Sequence, residues 1–225
     1  MSRITDYSFL FQSTFGISKK SPIGSFQLSQ LNSGSVQAQL RAAGINTNSA
    51  QYKAAIKEMM QNGNGAMFTN IQCIKNSMNC YDKDGDFINP RNGLAGLVLT
   101  NENAGRQKRI ISISESSKEE MFELTKKEFL RENGSLNGDT TRRRDVYDNL
   151  YRRTKKDDRL AAGYTMEQYE RAYRQAFLDA ARKADPKWEI GKPVPSKALE
   201  GITRESVEAN LRKSGSLLSS VDMKI

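Results

Sequence analysis

Histidine is missing from all 225 residues. With it go the usual general base, the usual metal ligand and the usual charge switch near neutral pH. Zinc hydrolase chemistry and Ser-His-Asp or Cys-His mechanisms fall on the same ground. An enzyme would have to work with carboxylate pairs, lysine, tyrosine or arginine, and no spacing in the chain marks such a set; the sequence is read as non-enzymatic. No run of about 18 apolar residues occurs, so no transmembrane segment is expected. The start, MSRITDYSFLFQSTFG, has no charged start followed by an apolar block of about 7 to 15 residues and a small-residue cleavage site, so Sec-type secretion is not expected either. The expected location is cytoplasmic, or exported without a cleaved signal peptide. The glycine-containing stretches QNGNGA and NENAGRQ match neither GxxxxGK(S/T) nor GxGxxG, and carry no phosphate chemistry.

Cysteine is scarce: Cys73 and Cys80 are the two in the chain. On a helix they would lie about 10 Å apart, beyond the roughly 4.4 to 6.8 Å that a disulfide spans. They read as reduced, packed thiols, and their spacing is no zinc or redox signature.

Positive charge, by contrast, is in excess. The net charge is +9, with +4 in residues 1–60, +3 in 139–160 and +2 in 191–225. The excess is scattered over the ends and one helix instead of forming a stripe, which argues against a dedicated nucleic-acid binder.

The first 34 residues are rich in Ser, Gln, Gly and Asn and read as a flexible arm. It contains one aromatic island, Tyr7, Phe9, Leu10 and Phe11, followed by Phe15, which either folds back onto the core or docks on a partner. Helical periodicity begins at Ser35, with Val36 and Leu40 on one side and Gly44 as the stop. Asn48 and Gln51 suggest a capping box for a helix whose apolar face is Tyr52, Ala55, Ile56, Met59 and Met60. A third helix is expected from about Ala66 to Asn79. The period then changes: LAGLVLT (94–100) and KRIISIS (108–114) read as two strands of a hairpin. Helices resume at Ser117, at about Thr140 and at Thr165, the last ending at Asp185-Pro186. A proline-containing linker follows, anchored by Trp188, and Thr203 caps a final short helix. The chain therefore reads as an α+β domain, mostly helical with a small antiparallel β-hairpin element in the middle, over residues 35–213. The end, 214–225, reads as frayed.

Three aspartates, Asp82, Asp84 and Asp86, stand at positions 1, 3 and 5 of a half-formed EF-hand loop. Phe87 replaces the glycine at position 6, and Gly93 stands where the bidentate glutamate belongs. The competing reading is a tight Asp-Gly turn between Tyr81 and Phe87. No cofactor is expected, with calcium as the alternative. The segment TTRRRDVYDNLYRRTKKDDR offers a second candidate surface, Arg142, Arg143, Arg144, Arg152 and Arg153, for an acidic partner or nucleic acid. Its tyrosines, Tyr147 and Tyr151, share the apolar stripe of Val146 and Leu150 and so are expected to be buried, and five aspartates dilute its field.

The stretches YSFLFQSTFG, DRLAAGYTMEQYERAYRQAF and ADPKWEIGKPVP are similar to an uncharacterised protein family of Gram-positive gut anaerobes. That resemblance implies a bacterial protein and supplies no catalytic residue. The function expected is that of a non-enzymatic interaction or assembly protein, its aromatic arm docking on a protein partner or another copy. A calcium-responsive module and a nucleic-acid binder are the alternatives.

Overall fold

The computed structural model describes residues 22–62, 68–100, 103–135 and 141–213. The chain divides into two units, Met1–Val98 and Leu99–Ile225.

Among its described residues the first unit holds four short helices: α1 (Pro22–Leu31), α2 (Gly34–Ala42), α3 (Ala50–Gln61) and α4 (Ile71–Met78). Each start after α1 has a side-chain cap satisfying an orphan N–H group. Ser33 caps α2, Ser49 accepts from the Tyr52 N–H, and Asn70 accepts from Gln72 and Cys73. The apolar stripe of α3 is wholly inward: Tyr52, Ala55, Ile56, Met59 and Met60 are all buried. Tyr52, Ile56, Met59 and Met60 pack with Leu31, Val36, Leu40, Phe68 and Ile74 into one cluster. Full burial of such a side chain contributes about 1.5–3 kcal/mol. Gln51 stitches α3 to the end of α4, its amide donating to the carbonyls of Met78 and Tyr81 at 3.0 and 2.9 Å. Two sequence expectations change here. Residues 22–31 of the expected arm are helical and Leu31 is fully buried. Cys73 is half-buried and Cys80 is exposed, both free.

The second unit contains α5 (Ala104–Gln107), α6 (Glu115–Arg131), α7 (Thr141–Arg153), α8 (Arg159–Ala184) and α9 (Arg204–Lys213). α8 is the spine, against which α6, α7 and α9 pack. Met121, Phe122 and Phe129 of α6 meet Met166, Tyr169, Tyr173 and Phe177 of α8, with Leu150 of α7 and Val207 of α9 closing the cluster. The Phe122 ring stands edge-on to Tyr173, centroids 5.2 Å apart, a favoured aromatic geometry. α6 ends in left-handed backbone at Asn133 and Gly134, φ 53° and 78°. Gly134 is needed for space as well: a Cβ there would lie 2.7 Å from the Trp188 ring. Trp188 is buried against Phe129 and donates its indole N–H to the Lys192 carbonyl at 3.0 Å. Within α8, Gly163 lets the Tyr151 hydroxyl approach to where a Cβ would be 2.6 Å away.

The expected α+β class does not hold. Among the described residues there is no β-strand ladder, and the single antiparallel bridge joins Tyr81 to Phe87. Residues 104–107, expected as hairpin loop, make a helical turn. The RIISIS stretch stays non-helical, but Ile111 and Ile113 pack against the helical cluster of the second unit. Their alternation with the exposed Ser112 serves a helix layer, and the same period-2 pattern suggested a sheet. No helix among the described residues is long and apolar enough to cross a membrane.

Candidate functional site

Where α9 lies on α8 it leaves a shallow groove of about 490 Å3. Ala172 and Ala176 of α8, with Ile202, Val207 and Leu211, give it an apolar floor; Gln175, Asp179, Ser206 and Asn210 form a polar rim. The small alanines are what leave room: any longer side chain on that face of α8 would fill the trough.

A buried charge network fixes α9 in place. Glu208 sits inward, one carboxylate oxygen accepting from Tyr173 Oη at 2.7 Å, the other from Lys118 Nζ at 3.1 Å. The side chains of Lys118 and Glu208 are only 5% and 6% exposed. Lys118 also pairs with Glu115 at 2.5 Å and lies over the Tyr169 ring. At the open end Arg204 reaches Glu115, Glu119 and Glu208 at 2.6, 2.7 and 3.0 Å. Burial alone would push the Lys118 ammonium down, but its hydrogen bonds to Glu115 and Glu208 outweigh that and its pKa is raised. The Lys118 hydrogen bond, acting against desolvation, and then Arg204 hold the Glu115 carboxyl below its ordinary value. Burial first, and the Glu208 carboxylate second, push the Tyr173 phenol far up, so it remains a donor. Opposite charges are matched throughout, and the network's evident work is to clamp three helices together.

A second network explains the basic helix. Arg143 is drawn inward, its two terminal nitrogens pairing with Glu128 of α6 at 2.8 Å and Glu170 of α8 at 3.0 Å. Tyr147 donates to Glu170 at 3.3 Å, and desolvation raises the Glu170 carboxyl despite Arg143. Arg153 pairs with Glu120 at 3.1 Å. Arg142, Arg144 and Arg152 are exposed. The five arginines therefore split between helix-to-helix ion pairs and open surface, and do not converge. Tyr147 and Tyr151 are half-buried, ring centroids 6.0 Å apart, and burial pushes the Tyr151 phenol up to about 12.

At the aspartate loop, the Asp82 carboxylate oxygen Oδ1 accepts from the N–H groups of Asp84 and Asp86 at 3.0 and 2.9 Å. Asp82 also donates its N–H to the Asp86 carbonyl and accepts from the Gly85 N–H. Gly85 alone in the loop has positive φ, 85°. That is a three-residue turn closed by a left-handed glycine, instead of the two-residue type I′ turn expected. Among the described residues no group of three or more Cys, Asp or Glu side chains is arranged to hold a metal ion. The aromatic island, Tyr7, Phe9, Leu10, Phe11 and Phe15, lies outside the described residues.

Sequence reasoning missed Lys118 and Glu208. The available signal was two charged residues lodged in apolar stripes, one turn from Met121-Phe122 and beside Val207 respectively.

No curated protein matches the chain, and no solved structure does. One family model matches residues 45–225, most of the length. The chain belongs to the family described as a domain of unknown function, DUF3879.

Proposed function

We propose that the protein is a non-enzymatic interaction and assembly module, in which the aromatic segment around Tyr7, Phe9, Leu10, Phe11 and Phe15 docks into the α8–α9 groove of another copy. The observation that supports this reading is the groove itself. Its alanine floor leaves room for large rings that no side chain among the described residues fills, and its amide and hydroxyl rim suits a peptide main chain. Burial of two phenylalanines there would release about 3–6 kcal/mol before ordering costs, enough for a weak to moderate complex.

The test is a labelled peptide spanning residues 5–16, TDYSFLFQSTFG, titrated with protein lacking residues 1–20. Saturable binding, weakened by the rim substitutions Gln175→Arg and Asn210→Arg, is the expected result. Light scattering should show that full-length protein self-associates and the truncated one does not, with unchanged Tm. No peptide binding together with an unchanged assembly state would remove the proposal.

A further inference from the structure

We propose that the non-helical stretch at residues 109–114 is a second docking strip, which takes an extended acidic peptide of a partner protein as an added strand. It rests on the chain being an interaction module but not on the aromatic segment or its groove.

The first argument is main-chain chemistry. The stretch is held from one side: the Ile111 N–H donates to Thr165 Oγ1 at 3.1 Å, and Thr165 in turn donates to the Ala161 carbonyl at 2.8 Å. Ile111 and Ile113 are packed against the core while Ser112 is exposed. In such a period-2 backbone successive peptide groups point in opposite directions. With the Ile111 N–H donating to α8, an extended run here would turn the N–H and C=O of Ile110 and Ser112 the other way. Among the described residues neither has a hydrogen-bond partner. The stretch then offers one open main-chain edge that an incoming strand can pair with.

The second argument is the groove beside it. Ile111, Ser112, Ile113 and Ser114 form one wall, and Leu150, Arg153, Thr154, Lys155 and Asp158 the other, enclosing about 260 Å3. The isoleucines and Leu150 offer apolar contacts to alternate side chains of an incoming strand. The residues between would meet Lys155, with Arg153 beside it already paired with Glu120.

Charge then selects the occupant. Residues 108–114 and 150–159 together carry seven basic and two acidic side chains. One acid, Asp158, is engaged by Arg109. Lys155 is exposed and has no ion pair among the described residues. A second copy of this chain would bring its own basic cluster to face the first, and its strand is backed by helices that would not enter the trough. A free peptide with alternating apolar and carboxylate side chains meets neither obstacle.

The probe is an acetylated, labelled heptapeptide of alternating valine and aspartate, VDVDVDV, measured by anisotropy against the full chain. Its controls are the same peptide N-methylated at alternate amides, and the basic VKVKVKV. The acidic peptide should bind and should slow amide exchange at Ser112. N-methylation and Ser112→Pro should each weaken it roughly ten-fold, the worth of one or two hydrogen bonds. Lys155→Glu should weaken it as well, and the basic peptide should not bind. Ser112→Pro removes an N–H that has no partner among the described residues, so Tm should hold. Should that variant fold poorly, N-methylation of the peptide still decides the matter.

Absence of binding, equal binding of the N-methylated peptide, or equal binding of the basic one would each overturn the proposal. So would self-association that Ser112→Pro abolishes, because the occupant would then be a second copy. Deleting residues 1–20 should leave VDVDVDV binding unchanged, which separates failure here from failure of the aromatic-segment reading.

Discussion

Removing Glu208 should loosen α9 more than any other single charge deletion in the second unit. In Glu208→Ala, Lys118 keeps Glu115, but that carboxylate is 70% exposed, whereas the lost partner was 6% exposed. Breaking a fully buried pair costs roughly 3–5 kcal/mol; with one solvated partner retained, about 2 is the reasonable share. The Tyr173 hydroxyl loses its acceptor at 2.7 Å, worth about 1 kcal/mol more. Arg204 still has Glu115, Glu119 and Glu205, mostly exposed acids, and contributes little. The sum is about 3 kcal/mol, or roughly 10 °C in Tm for a unit of this size. Urea unfolding at pH 7, followed by Trp188 fluorescence, measures it. Adding Lys118→Met to the variant should recover about 2 kcal/mol, since a buried ammonium stripped of its buried partner is then gone. A loss below about 1 kcal/mol, or no recovery in the double variant, would refute the idea that this pair is what clamps α9.

Gly134→Ala should cost about 1–3 kcal/mol, because the residue has positive φ and a methyl would strike the Trp188 ring; a blue or red shift of the Trp188 emission accompanies the loss in the same unfolding experiment. Glu170 supplies a pH test. Burial raises its carboxyl above the ordinary 4.5, so the folded protein holds that proton more tightly than the unfolded chain. Such a group contributes stability at low pH that is lost as pH rises from 4.5 through the raised value. Glu170→Gln abolishes that loss, and its Tm relative to the parent should become more favourable between acid and neutral pH. Asp82→Ala should destabilise the first unit by about 1 kcal/mol, through the N–H groups of Asp84 and Asp86 left without an acceptor. Because Asp82 Oδ1 is already committed to those groups, millimolar calcium should move Tm of the parent by no more than about 1 °C, as differential scanning fluorimetry would report.

The helices were legible where an apolar stripe keeps a 3.6-residue period. The face of α3 from Tyr52 to Met60 and that of α8 from Tyr169 to Phe177 are examples. Their ends were less so. Thr165 looked like a helix start because a glutamine follows three residues on, yet α8 begins at Arg159 and runs through it. The Thr165 hydroxyl bonds the Ala161 carbonyl inside the helix, and its second role, receiving the Ile111 N–H, needs a neighbour 54 residues away. Ser49 and Ser114 cap α3 and α6, displacing the expected Asn48 and Ser117, for no reason visible in the local pattern. The hairpin failed because alternating isoleucines require only a buried side and an open side, and helices can supply the buried one. Of the candidate residues, the arginines of α7 were visible as a group. That Arg143 turns inward depends on Glu128 and Glu170 arriving from two other helices, which no short window of sequence contains.

The close approach of Tyr151 to Gly163 carries an evolutionary consequence. A methyl group at 163 would fall 2.6 Å from the phenolic oxygen but 3.3 Å or more from the ring carbons. Family members with alanine at the position equivalent to Gly163 should therefore be those that have exchanged the tyrosine for phenylalanine or something smaller, so that the two sites change hands together along the lineage.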